Sequence, residues 1–194
     1  MHATDIMSAE EACRRVEVDH RILLDELDRH PADTLTEPFR VASGPLGDAC
    51  ESLHDLVAHV LMWDEISLAV LHEAAAGRAH WSLDPQWEDP DIGRRLNEAG
   101  VAAGRRLPTQ LLVHRLNSVS DALSAELGSF SADQWSAPLG LELSAAATVG
   151  ELAQYAMTVP TKSPYWHAAI HLQAFESMRQ SEARIAATSV GRAS

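Results

Sequence analysis

The apolar residues of this chain recur with helical spacing wherever their pattern is clear, and this constrains the fold more than any other feature. No run of alternating apolar and polar residues is long enough to predict a β-strand. The sequence therefore predicts an all-α fold. The clearest example of the spacing by three and four residues is the series Leu53, Leu56, Val60 and Trp63.

Four helical regions follow from this pattern. A chain of 194 residues can hold them in one domain with a single core, spanning residues 1–194. Four helices in one compact chain are typical of a four-helix bundle. The regions run from Ser8 to about His30, from about Asp48 to Ala76, from about Leu107 to Leu127, and from Thr148 to about Ala187 with a break at 160–164.

The ends of these regions carry capping residues. Ser8 with Glu11, and Thr148 with Glu151, have the spacing of a capping box. Gly77 follows the second region, where a glycine commonly ends a helix. These residues support the predicted boundaries.

The connection between the second and third regions, residues 78–106, is too long for a simple up-down-up-down bundle. It does not have the pattern of one amphipathic helix. A link of this length is usually functional or contains short helices of its own. Trp81 and Trp87 either line a substrate pocket or anchor this excursion to the bundle.

Composition narrows the class of partner. The formal net charge is −13, and the acidic residues are spread along the chain. Nucleic acid and anionic membranes bind clustered Lys and Arg, so neither is expected as a partner. No apolar run reaches the ~18 residues of a membrane span, and no secretion signal is evident. Cys13 and Cys50 fit no metal or redox spacing. We expect a cytoplasmic protein with a small-molecule substrate; a homodimer stays open.

Three histidines are candidate metal ligands. His167 and His171 are four residues apart in a segment predicted to be helical from about Tyr165, so their imidazoles share one face. His59, in the second region, is the third candidate. Three neutral nitrogens with an open coordination position are typical of a catalytic metal site. The alternative is that these histidines are packed or capped residues without a ligand.

Other candidates surround this set. Asp55 and Trp63 lie one helical turn before and after His59 and face broadly the same way. Asp55 either orients the His59 ring or lies on a solvated surface, and Trp63 is a candidate substrate contact. Tyr165 either donates a hydrogen bond to substrate or packs the last helix. His20 lies on an apolar stripe and needs a buried partner.

Several short stretches occur in order between about residues 50 and 175. Together they resemble the DinB-like superfamily, which contains mycothiol-dependent maleylpyruvate isomerase, and more closely its DfsB family and the colibactin self-resistance proteins. This resemblance implies a four-helix bundle of up-down-down-up topology with a pocket at one end. The stretches are Leu56-Val57-Ala58-His59 with Trp63, Trp87 ahead of Gly93-Arg94-Arg95-Leu96-Asn97, Phe130-Ser131-Ala132-Asp133-Gln134-Trp135, and Ser163-Pro164-Tyr165.

The resemblance also implies a chemistry. The ligands of DinB-like metal proteins fall on His59, His167 and His171, and zinc or nickel is the expected ion. The colibactin-type members, reported as cyclopropane hydrolases, imply ring opening or hydrolysis of an electrophilic or strained-ring metabolite, in natural-product biosynthesis or self-resistance. We expect this hydrolysis, with metal-activated water. The alternatives are a mycothiol- or thiol-dependent transferase or isomerase, a metal-free relative, and a non-catalytic binding partner.

Overall fold

The computed structural model describes residues 6–39, 50–141, 146–159 and 162–172, and within them the chain is all-α. No β-strand occurs among these residues, which confirms the predicted fold class. Two short 3-10 turns span Trp81–Leu83 and Pro85–Glu88. The helices are α1 (Ala9–Leu27), α2 (Leu53–Ala75), α3 (Pro90–Gly104), α4 (Thr109–Ser129), α5 (Ala132–Ser136), α6 (Val149–Ala156) and α7 (Ala168–His171).

Most of the predicted caps are present. The Ser8 side chain accepts a hydrogen bond from the Glu11 N–H ahead of α1, and Thr148 with Glu151 forms a full capping box ahead of α6. Gly77 has φ of +70°, the left-handed conformation expected just beyond α2. The predicted start of α2 was wrong, because residues 50–52 are not helical and Ser52 caps the helix instead.

One main core joins helices α1, α2, α4 and α7. α4 packs against both α1 and α2, and α7 also contacts both, so α4 and α7 connect the other two helices. Residues from all four helices meet there, and most are almost fully buried. Examples are Leu23 and Leu27 of α1, Leu56 of α2, Leu116 of α4 and Ala168 of α7.

The predicted excursion contains the two 3-10 turns and α3, which packs along α2. A Cβ added to Gly104 would overlap the Cβ of Ala58, so the end of α3 lies against the backbone of α2. None of the described helices is both long and apolar enough to cross a lipid bilayer.

The last described segment differs from the prediction. A helix was expected from about Tyr165, but α7 begins at Ala168, and Tyr165 has φ of 63°. The physical reason is packing: the ring of Tyr165 joins a core cluster with Leu127, whereas the next ring, Trp166, joins a different cluster with Ile170. The predicted continuation from residue 173 to Ala187 lies outside the described residues.

Candidate metal centre

The three histidines predicted as ligands meet inside the bundle. One nitrogen from each of His59, His167 and His171 lies within 4.8 Å of the others. The ring centroid of His59 is 4.7 Å from that of His167 and 5.1 Å from that of His171. The Nε2 atoms of His59 and His167 are 2.8 Å apart. Helix α2 thus supplies one imidazole and the segment around α7 supplies two.

Local structure explains how two of the rings come together. His167 immediately precedes α7 and His171 ends it, and the N–H of His171 donates to the carbonyl of His167 at 3.4 Å. This single turn keeps both side chains on one face, although His167 itself is not inside the helix. The four-residue spacing therefore has the predicted effect without the predicted helix start.

Burial favours the neutral form of His59 and His167. His59 and His171 are only 1% and 2% exposed, whereas His167 is partly exposed. Burial, followed by the neighbouring rings of His167 and His171, holds the pKa of His59 well below its ordinary value. Burial and then His171 lower the pKa of His167 to about 3. Neutral imidazoles keep their lone pairs available, so these residues fit a zinc or nickel ion.

Two acids with raised pKa values were missed by the sequence reasoning. Asp19 of α1 accepts hydrogen bonds from the backbone of α7, and burial raises its pKa to about 6 despite these bonds. Burial, and then the charges of Asp19 and Glu65, raise the pKa of Asp64 well above its ordinary value. The available signal was the position of Asp19 between Val16 and Leu23, on the buried face of α1.

Asp55 occupies neither of its two predicted environments. It is 3% exposed, so it does not lie on a solvated surface. Its carboxylate accepts hydrogen bonds from Arg105 Nε at 2.9 Å and Nη2 at 2.7 Å, and from the N–H of Glu51 at 2.9 Å. Nδ1 of His59 has no hydrogen-bond partner among the described residues. Asp55 therefore ties the start of α2 to Arg105 and does not orient His59.

The tryptophans have separate environments. Trp63 donates from Nε1 to Oδ1 of Asn97 at 2.8 Å, which ties α3 to α2 one turn beyond His59. Trp81 and Trp87 contact each other, with ring centroids 5.0 Å apart and Nε1 of Trp87 donating to the carbonyl of Trp81. Leu83, in the same 3-10 turn as Trp81, packs against the cluster that contains Val70.

This placement separates the tryptophan pair from the histidines. His59 and Val70 are eleven residues apart on α2, roughly 16 Å at 1.5 Å per residue. The structure therefore places this pair beside the far half of α2, where Trp81 is 48% exposed and Leu83 makes the contact with the bundle. Trp63 is the tryptophan of the three that lies on the His59 half of the helix.

Tyr165 and His20 are also placed by the structure. Tyr165 is 2% exposed, its ring is in the core, and its hydroxyl has no hydrogen-bond partner within the described part of the chain. It packs rather than facing an open site. His20 has its Nε2 3.1 Å from Oδ1 of Asn117 on α4, so its partner is the amide of a half-buried side chain.

Comparison with known proteins identifies the family. Residues 52–159, more than half of the 194-residue chain, match the model of the mycothiol maleylpyruvate isomerase N-terminal domain. The matched range contains His59 and ends before His167, so the structure alone shows that the histidines meet. No curated protein and no solved structure matches the chain. The chain belongs to the mycothiol maleylpyruvate isomerase N-terminal domain family, which lies within the DinB-like superfamily that its sequence resembles.

Proposed function

We propose that this protein is a metal-dependent enzyme that acts on an electrophilic small molecule with a low-molecular-weight thiol, such as mycothiol. The enzyme either transfers the thiol to this molecule or uses the thiol to isomerise it. The observation that carries the proposal is the convergence of His59, His167 and His171 within 4.8 Å. Three imidazole nitrogens from two parts of the chain form a donor set that suits one divalent ion.

The three histidines differ in burial, and this suggests a different role for each side of the centre. His59 and His171, almost fully buried, would hold zinc or nickel from the interior of the bundle. His167 is the least buried of the three histidines, so we expect thiol and substrate to approach along its side of the centre. An ion in this position lowers the pKa of a thiol or water that it binds, which supplies a deprotonated nucleophile at neutral pH.

The choice of a thiol over water rests on the family. Its name refers to a mycothiol-dependent isomerase. The sequence-based expectation of ring-opening hydrolysis used Ser163-Pro164-Tyr165 and the stretch from Trp87 to Asn97. In the structure Tyr165 is packed in the core and Trp87 contacts Trp81, so neither side chain adds support for hydrolysis. Ring opening by water, with a role in self-resistance, is therefore the competing outcome of the test.

The first test is metal content. We expect purified protein, after incubation with zinc and removal of unbound ion, to carry about one divalent ion per chain by elemental analysis. His59→Ala should carry much less, whereas His54→Ala, a buried histidine on the same helix, should still bind the ion. Wild-type protein that stays metal-free under these conditions would overturn the proposal.

The second test separates thiol from water. A thiol that binds only the native state raises its stability, so mycothiol should raise the melting temperature of the zinc-loaded protein. This shift should disappear in His59→Ala. The absence of a shift with any thiol, together with turnover of a strained-ring electrophile in plain buffer, would contradict thiol chemistry and support hydrolysis.

A further inference from the structure

The backbone between His167 and His171 is held by a side chain from another helix. Asp19 of α1 accepts a hydrogen bond from the N–H of Ala168 through Oδ2 at 2.9 Å, and from the N–H of Ala169 through Oδ1 at 2.8 Å. Asp19 is 7% exposed, so these bonds are shielded from water. Both carboxylate oxygens are thus bound to the segment that carries two of the three histidines.

These N–H groups would otherwise lack a partner within their helix. The first N–H groups of any helix cannot bond to a preceding turn, and α7 starts at Ala168. The residue before it, His167, makes no side-chain capping bond. Asp19 therefore caps α7 from about 150 positions earlier in the chain. Bonds to an ionised carboxylate are stronger than bonds between neutral groups.

A second residue of α1 contacts the same segment on the other side of His167. Arg15, one helical turn before Asp19, donates from Nη1 to the carbonyl of Pro164 at 3.4 Å. Its guanidinium also lies 5.6 Å from the ring centroid of Trp166. Arg15 contacts residues before His167 and Asp19 contacts residues after it. Helix α1 thus forms hydrogen bonds to the backbone on both sides of His167.

The position of this segment decides whether the histidines meet. His59 comes from α2, so its distance to the other two imidazoles depends on how α7 sits against the rest of the bundle. Metal sites tolerate displacements of only about 0.5 Å before geometry suffers. Ala168 and Ala169 are the first residues of α7, so bonds within the helix do not hold their N–H groups, and the contacts with α1 fix the position of this end of the helix.

We propose that Asp19 is the positioning residue of the histidine centre: its carboxylate fixes the Ala168–Ala169 backbone so that His167 and His171 meet His59. The metal-binding consequence rests on the proposed function, whereas the positioning itself is a property of the metal-free protein. The two can therefore be tested separately.

The experiment compares Asp19→Ala, which removes both acceptors, with Asp19→Asn, which keeps one carbonyl oxygen in a similar shape. Val70→Ala is the control, since Val70 is a buried residue on the far half of α2 whose core cluster contains no residue of α7. Three quantities are measured: amide exchange of Ala168 and Ala169 in metal-free protein, the Kd for zinc by chelator competition, and the visible spectrum of the cobalt-loaded protein.

We expect the Ala168 and Ala169 amides of Asp19→Ala to exchange at least about tenfold faster than in wild type. The Kd for zinc should rise about 10–100-fold, as for other residues that orient metal ligands. Asp19→Asn should lie between wild type and Asp19→Ala in both measurements. The cobalt spectrum should change in Asp19→Ala, while Val70→Ala should lose stability but keep the wild-type Kd and spectrum.

Specific outcomes decide against the inference. Wild-type exchange of the two amides in Asp19→Ala, or a wild-type Kd and cobalt spectrum in that variant, would overturn it. If Asp19→Ala does not fold, a wild-type Kd and wild-type exchange in Asp19→Asn would overturn it equally. If wild-type protein binds no zinc, the proposed function fails. The role of Asp19 in positioning the histidines would still be supported if the two amides of Asp19→Asn exchange faster and the His171 ring resonances shift.

Discussion

The Nε2 atoms of His59 and His167 lie 2.8 Å apart, which is hydrogen-bond distance. One of these neutral rings therefore donates an N–H hydrogen bond to the other. The surroundings indicate which one. Nδ1 of His59 is buried without a hydrogen-bond partner among the described residues, whereas His167 is partly exposed. A proton on Nδ1 of His59 would remain unpaired at a cost of about 1–3 kcal/mol. We therefore assign the proton of His59 to Nε2, which donates a hydrogen bond to Nε2 of His167.

This assignment predicts a tautomer change on metal binding. We expect an ion to bind Nε2 of His59, because this nitrogen faces His167. Nε2 must then give up its proton to free its lone pair, and Nδ1 carries the proton instead. Long-range nitrogen–proton NMR should show His59 as the Nε2–H tautomer in metal-free protein and as the Nδ1–H tautomer after zinc is added. His54 provides an internal control and should not change. An Nδ1–H tautomer of His59 before zinc is added would contradict the assignment.

Two buried histidines should give opposite results when replaced. We expect His171→Ala to keep its helical circular dichroism but to weaken zinc binding by more than about 100-fold, beyond the effect of losing an orienting neighbour. His54 instead bonds Thr109 Oγ1 at 2.8 Å and the carbonyl of Gly104 at 3.1 Å. His54→Ala leaves these partners unpaired, so it should lower the free energy of unfolding by about 1–3 kcal/mol and keep the zinc affinity.

Circular dichroism, urea denaturation and chelator competition measure these effects. Collapse or aggregation of His171→Ala would show that this histidine is a structural core residue. Loss of zinc binding by a folded His54→Ala would show that zinc binding at the histidine centre depends on the hydrogen bonds of His54.

Sequence could predict the features that depend on local spacing. Helical periodicity predicted α1, α2 and α4, and the spacing of His167 and His171 led to the histidine set. The start of α7 could not be predicted, because Tyr165 adopts its left-handed backbone when two consecutive aromatic rings pack into different clusters. Nor could spacing show that Asp55 pairs with Arg105, fifty residues away, since such a pairing depends on how α3 packs on α2.

The ion pair of Asp55 predicts a pH dependence of stability. Burial alone would raise the pKa of Asp55, but hydrogen bonds from Arg105 and from the Glu51 N–H outweigh it and hold the pKa below the ordinary 3.8. The stabilisation is therefore fully present above the ordinary value and is lost as pH falls through the lower folded value. We expect Asp55→Asn to lower the free energy of unfolding by about 1–3 kcal/mol at pH 7.

The difference between wild type and Asp55→Asn should narrow as pH falls below about 4, which urea denaturation across pH 7 to 3 measures. Asp91→Asn is the matched control, because the Asp91 side chain is 78% exposed and pairs with Arg94 on the surface of α3. It should change stability by less than about 0.5 kcal/mol. A difference for Asp55→Asn that stays constant down to pH 3 would rule out the ion pair as its source.

The close contact of α3 with α2 predicts opposite effects at two helical glycines. A methyl group at Gly104 would overlap the Cβ of Ala58, next to His59, so Gly104→Ala must push the two helices apart. We expect it to lower the free energy of unfolding by about 1–3 kcal/mol.

Gly128, within α4, provides the opposite case. The nearest atom to a Cβ added at Gly128 is Cys13 Sγ at 3.7 Å, which is an ordinary contact. Gly128→Ala should therefore stabilise by about 0.5–1 kcal/mol, because alanine loses less conformational freedom on folding than glycine. Urea denaturation of both variants at pH 7 measures the contrast, and equal stability of the two would show that α3 can move away from α2 without loss of packing.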